Sequence, residues 1–123
     1  MGNLLSIKIP YISFIEIEKN LNNYFIINTL DINLQDCLIF NTIPAITETE
    51  YINKLNKKHT IVIYGKNCRD RTPLYKYNQL KKLGFENVYV YIGGLFEWCS
   101  LQEIYGAENF KTTSKCSDLL LYK

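Results

Sequence analysis

The sequence predicts a three-layer α/β fold with a mainly parallel sheet of about five strands flanked by helices. Three observations carry that expectation. Residues 60–64, Thr-Ile-Val-Ile-Tyr, form an unbroken apolar run, the pattern of a central parallel strand buried on both faces. A helical pattern and a second β-rich run follow it directly, in the spacing of a right-handed βαβ unit. At 123 residues the chain can bury one such sheet between helices but not two.

Residues 1–11 precede the folded pattern. Met1, Gly2 and Ser6 fit the Met-Gly-x-x-x-Ser/Thr signal for N-myristoylation, in which the Gly2 amine accepts the acyl group once Met1 is removed. A chance serine behind an ordinary Met-Gly start is the plainer alternative. One acyl chain anchors only marginally and Lys8 adds little charge, so acylated Gly2 implies weak membrane attachment at most.

Ser13 and Glu16 form a capping box, each side chain able to satisfy the other's free amide, and Phe14, Ile15, Ile17 and Leu21 continue as an apolar stripe. A short helix to about Asn20 follows from this. Residues 25–29 and 37–40 are compact β-rich runs separated by a polar segment, and are expected as neighbouring strands. From Thr47, Glu48 and Glu50 lead and Lys54 and Lys57 trail around Tyr51, Ile52 and Leu55. This is an amphipathic helix charged as its dipole prefers. His59 reads as a surface residue.

After residues 60–64 comes a polar loop, 65–71. Thr72 as N-cap and Pro73 as first helical residue then open a helix with Leu74, Tyr77, Leu80 and Leu83 inward and Gly84 at its end. Residues 87–92 form the next strand, with Tyr89 and Tyr91 alternating with Val88 and Val90 as ordinary sheet patterning. Gly93 and Gly94 make a turn, and Leu95 to Tyr105 is a helix carrying Phe96, Trp98 and Leu101 into the core. The folded domain thus spans 12–105. The tail, 106–123, is mostly polar, and its apolar patch at Leu119, Leu120 and Leu121 is able to dock back.

Fourteen Lys and Arg against twelve Asp and Glu leave a formal charge of +2, with signs alternating along the chain, so no nucleic-acid partner is expected. No segment reaches the roughly 18 apolar residues that cross a bilayer. Cys37, Cys68, Cys99 and Cys116 show no close-pair spacing, and no secretory signal precedes them. Reduced thiols in a cytoplasmic protein are the expectation, membrane-associated if Gly2 is acylated. Zinc is not expected, because no two cysteines are two to four residues apart and His59 is the only histidine. Cys37 and Cys99 lie in apolar surroundings and read as core, while Cys116 in the tail reads as exposed. No cofactor is implied.

A polar loop between the end of a buried parallel strand and a helix N-terminus is where open α/β folds hold ligands, since loop amides and helix dipole converge there. Gly65, Lys66, Asn67, Cys68, Arg69, Asp70 and Arg71 form that candidate anion-binding loop. Three basic side chains favour a small oxyanion, and Asp70 partly offsets them. A solvated loop face is the bland alternative.

The stretch TIVIYGKNCRDRTPLYKYNQLKKLGFENVYVYIGGLFEW resembles the second half of a rhodanese domain. Gly93, Gly94 and Trp98 are similar to that family's terminal Gly-Gly-x-x-x-Trp segment. Leu83, Gly84 and Phe85 resemble its helix exit, and Ile27-Asn28 the strand end that usually bears an aspartate. The resemblance covers roughly residues 12 to 105 and extends to a branch carrying Tyr-Gly where active members carry Tyr-Cys. It implies that the first loop position holds the cysteine accepting a sulfane sulfur as persulfide, or attacking an oxyanion in related reductases and phosphatases. Here that position is Gly65, which has no nucleophile. Arg71, six positions on, matches the longer phosphatase-type loop.

The resemblance therefore implies a catalytically inactive member acting as an anion-binding or protein-interaction module with an unidentified protein partner. Two rivals stand beside it. One is a sulfurtransferase or oxyanion reductase using Cys68, whose thiolate the neighbouring cations favour but whose place three positions along points to the loop rim. The other is a structural component of a larger assembly, with Leu119 to Leu121 as contact surface. Glu97 reads as a helix-surface charge with no acid or histidine to pair with.

Overall fold

β-rich segments that are apolar at every position can bury both faces only between two layers of helices, and the computed structural model of the chain has that form. It describes residues 8–116 and 118–123. The elements run in order α1 (Phe14–Lys19), β1 (Phe25–Asn28), β2 (Thr42–Ile43), α2 (Glu48–Lys54), β3 (Thr60–Tyr64), α3 (Thr72–Lys82), β4 (Asn87–Tyr91) and α4 (Gly94–Tyr105). Short 3-10 turns add Ile32–Leu34, Ala45–Thr47 and Leu119–Tyr122. The strands pair in parallel in the order β2-β1-β3-β4.

The expected count of about five strands becomes four in the described residues, with a rudimentary fifth. Tyr11 bridges Val90 in parallel, the Val90 amide donates to the Pro10 carbonyl at 3.0 Å, and the Ile12 amide donates to the Val90 carbonyl at 3.0 Å. The short segment 10–12 thus covers the open edge of β4, which would otherwise expose a row of unpaired backbone groups.

Alternation along β1 and β3 sorts the core into two layers. Ile26, Val62 and Tyr64 face one side, packed with Ile17 of α1 and Leu95, Trp98 and Cys99 of α4. Ile27, Ile61 and Ile63 face the other, packed with Ile52 of α2 and Tyr77 and Leu80 of α3. The tail closes the first layer through buried Phe110 and Tyr122, and Trp98 donates its indole N–H to the Lys111 carbonyl at 3.0 Å. No helix among the described residues is long and apolar enough to cross a membrane.

Three local expectations are corrected. Residues 37–40 are not the strand beside β1; β2 holds that place. Asn41 has φ 72°, which reverses the chain between the two segments, and the backbone of Leu38 and Phe40 is committed to the tail. The Phe40 amide donates to Lys111 and the Thr113 amide to the Leu38 carbonyl at 2.8 Å. In α3, Thr72 is the first helical residue and not the cap, because Asp70 supplies the acceptor for its amide. Leu83 lies at the helix end and is 50% exposed; Gly84, at φ 98°, turns the chain so that Phe85 fills the core position instead.

Tyr64 joins the layers to the site. Its hydroxyl accepts from the Ile39 amide at 3.0 Å and lies 2.8 Å from Thr42 Oγ1, with the ring fully buried. Burial pushes its ionisation well above the ordinary value of 10.0, and burial beside Glu97 does the same for Tyr91. In the unfolded chain both phenols ionise near that ordinary value. Their contribution to stability is therefore whole below pH 10.0 and declines as pH rises beyond it. Tyr64→Phe should cost about 1–3 kcal/mol at neutral pH by leaving the Ile39 amide unpaired. It should also flatten the alkaline decline. Urea midpoints measured across the alkaline range check both.

Candidate functional site

The buried strand β3 ends at Tyr64, and the chain must cross from its C-terminal end to the start of α3 through residues 65–71. Asn67 sets the turn: its side-chain carbonyl accepts from the Arg69 amide at 2.9 Å and its backbone carbonyl from the Asp70 amide at 3.1 Å. That turn folds Asp70 back beneath the loop. The Lys66 amide donates to Asp70 Oδ2 at 2.9 Å, and the Thr72 amide and hydroxyl donate to Oδ1 at 2.9 and 2.7 Å. An acceptor at a helix N-terminus satisfies otherwise orphaned amides and is favoured by the helix dipole.

The protein's own carboxylate thus holds the Lys66 and Thr72 amides, one on each side of the loop. A Cβ added at Gly65 would lie 2.5 Å from Asp70 Oδ2 and 2.8 Å from Pro73 Cγ. The space into which a nucleophile at position 65 would project is therefore filled. Sequence reasoning treated Asp70 only as a charge offset. Its spacing before Thr72 and Pro73, an acidic residue ahead of a helix start, was the available signal. Asp70→Ala should cost about 1–3 kcal/mol, since two amides lose a charged acceptor, and thermal unfolding measures it.

The glycine pair forms the opposite wall. Gly94 has φ 68°, and a Cβ there would meet the Gly65 carbonyl oxygen at 2.7 Å and the Asn67 nitrogen at 2.9 Å. This close approach lets the first turn of α4 bind the loop: the Leu95 amide donates to Gly65 and the Phe96 amide to Lys66, both at 2.9 Å. The tail adds a third hold, because the Asn67 side-chain amide donates to the Tyr122 carbonyl at 2.8 Å.

At the end of β1, Asn28 is buried and pairs amide to amide with Gln35 at 2.8 and 3.0 Å. Its side-chain carbonyl also accepts from the Leu30 amide at 3.0 Å. Gln35, unnoticed in the sequence, also receives the Ala45 amide at 3.0 Å and so ties the exits of β1 and β2 together. Asn28 here organises backbone.

The loop's side chains are not gathered at one point. Lys66 and Asn67 border a cleft with Thr29, Asp31 and Leu34, while Cys68 and Arg71 border another with Tyr11, Leu74 and Ile92. Arg69 and Asp70 stand between the two. Cys68 is a free, exposed thiol. Among the described residues, Lys66, Arg69 and Arg71 make no salt bridge. Glu97, expected as a surface charge, is half-buried and accepts from the Tyr91 hydroxyl at 2.6 Å. The acylation signal at Gly2 lies outside the described residues.

Cys37 and Cys99 are core residues as expected, whereas Cys116 does not stand exposed in the tail. Cys37 and Cys99 are buried, and Cys116 is half-buried beside them, so that the three sulfurs lie within 4.8 Å of one another. Positions this far apart in the chain carry no spacing signal, and only the docking of the tail brings them together.

Comparison with known proteins agrees with this architecture. The family model for the rhodanese-like domain matches residues 32–101. Among solved structures, the BH2092 protein of Bacillus halodurans is similar at a TM-score of 0.66 and 20% identity, over 89% of this chain and 82% of that one. The Alr3790 protein of Anabaena sp. gives 0.60 and 23%, over 77% of each chain. A Rhodanese_3-like domain from the same Anabaena protein gives 0.53 and 26%, over 63% of this chain and 85% of that one. No curated protein matches the chain in sequence. With more than half of its length matched by one family model, the chain belongs to the rhodanese-like domain family.

Proposed function

We propose that this chain is a non-catalytic rhodanese-like module that docks an acidic segment of a protein partner against the rim of its loop. The observation that carries the reading is the Asp70 carboxylate bound to the Lys66 and Thr72 amides, beside a glycine at the nucleophile's position. A loop already closed on an internal anion has little affinity left for a small external oxyanion at its base. Its capacity for negative charge passes to the exposed side chains of Arg69 and Arg71, which have no carboxylate partner among the described residues. Exposed Tyr11 and Ile92 lie next to them and offer apolar contact at the same rim. Guanidinium groups suit this role because their planar forks bind carboxylates in pairs.

Titration with an oligoglutamate peptide, followed by backbone amide NMR, tests the reading. The expected result is saturable shifts at residues 68–71 and at Ile92, unmoved Lys66 and Thr72 amides, and loss of binding in the Arg69→Ala/Arg71→Ala variant. Saturable movement of the Lys66 and Thr72 amides would mean that an outside carboxylate displaces Asp70. That result, or unaltered binding by the double variant, contradicts the reading.

A further inference from the structure

Cys37 follows the β1 exit, Cys99 lies on α4 and Cys116 lies in the tail, so three separate pieces of chain bring their sulfurs together. The Cys116 sulfur lies against both of the others. The Cα separations, 5.9 Å to Cys37 and 6.5 Å to Cys99, both fall within the reach of a disulfide. A disulfide sulfur bonds to one partner sulfur only. We propose that these three cysteines form a redox-modification site in which Cys116 carries one disulfide, exchangeable between Cys37 and Cys99, that fastens the tail to the core.

Burial orders the reaction. Cys37 and Cys99 are 5% and 1% exposed, within an apolar cluster that includes Leu38, Trp98 and Phe110. Cys116 is half-buried and is the thiol of the three that a dissolved reagent reaches. The oxidant is a small-molecule disulfide. The Cys116 thiolate attacks one of its sulfurs, a mixed disulfide forms, and one small thiolate leaves and takes up the proton that Cys116 gave up. The Cys37 or Cys99 thiolate then attacks the Cys116 sulfur, and the second small thiolate leaves and is protonated likewise. Two protein thiols have lost two electrons and two protons, and the small disulfide has become two thiols. In the exchange step, the remaining thiolate attacks Cys116 as the first bond breaks, and the proton passes from the attacking to the leaving sulfur with no net redox change.

The tail so fastened is the one that touches the loop through Tyr122 and Asn67. The site itself stands independently of what the rim binds.

The test uses the full chain with Cys68→Ser, which removes the exposed thiol and with it intermolecular products. Reduced protein is incubated with glutathione disulfide, quenched in acid, alkylated and mapped by peptide mass spectrometry. The expected result is one alkylatable thiol per oxidised molecule, with Cys116 linked to Cys37 in some molecules and to Cys99 in others. Added Cys37→Ala should leave only the 99–116 link, Cys99→Ala only the 37–116 link, and Cys116→Ala neither. Three alkylatable thiols after incubation would overturn the proposal, as would a 37–99 link in place of those to Cys116. So would native mass spectrometry showing a metal ion that shields all three thiols. Should a variant fail to fold, the links mapped in the Cys68→Ser protein alone decide the matter.

Discussion

Gly65→Cys should destabilise the protein by about 3 kcal/mol and still yield no sulfur transfer. The substitution restores the residue type that the family uses at this position, but not the room for it. The new Cβ would stand 2.5 Å from Asp70 Oδ2, one oxygen of a carboxylate that the Lys66 and Thr72 amides hold by its two oxygens, and 2.8 Å from the ring of Pro73, a buried residue of α3. Neither neighbour is the free end of a flexible chain. Either Asp70 is expelled and two amides lose their acceptor, or the loop shifts away from α4. Gly65→Cys combined with Asp70→Ala removes the clash with the carboxylate, leaving the contact with Pro73, and presents a thiol to the Lys66 and Thr72 amides, an environment that favours the thiolate. The double variant should therefore be more stable than the single Gly65→Cys variant and more reactive toward thiosulfate. Urea unfolding and mass spectrometry of the treated protein measure the two effects separately.

Gly94→Ala should cost about 3–4 kcal/mol and loosen the loop in particular. A residue with a side chain pays about 1–2 kcal/mol for the left-handed conformation at φ 68°. The methyl group would also press on the Gly65 carbonyl and the Asn67 nitrogen, both backbone atoms. Moving α4 away to make room breaks the bonds from Leu95 and Phe96 to the loop. Hydrogen exchange at those two amides should rise more than exchange in β1 and β3, which distinguishes local release from global loss of stability. Equal acceleration everywhere would count against the close approach of Gly94 as the cause.

Most of the fold could be read from the chain because the relevant signals are local. The apolar run at Thr60–Tyr64, the helix start at Thr72 and Pro73 and the glycine pair that opens α4 each specify their element from neighbouring residues. Together they gave the layer order and the family likeness. What escaped depended on distant partners. The segment 37–40 has strand composition, but its amides go to Lys111 and to Thr113 of the tail, and Tyr64 claims Ile39, so β2 forms at Thr42–Ile43 instead. Gln35 gains its role only when β1 and β2 place Asn28 and Ala45 on either side of it.

The site was legible to the same extent. The loop's position between β3 and α3 and the glycine at its first place follow from the chain's own order. The Asp70 carboxylate in the cradle does not, because charge alone made it a modest correction to three cations. Geometry makes it the residue that fills the cradle. The convergence of Cys37, Cys99 and Cys116 is of the same kind, since it exists only once the tail has folded back.

Intact mass spectrometry of the wild-type protein after incubation with thiosulfate, beside Cys68→Ser, tests the proposed inactivity of the loop most directly. The account predicts that neither protein gains a sulfur atom while its thiols remain free. A sulfur gained by the wild type and absent from Cys68→Ser would contradict it, and would make Cys68 a displaced persulfide carrier on the loop rim.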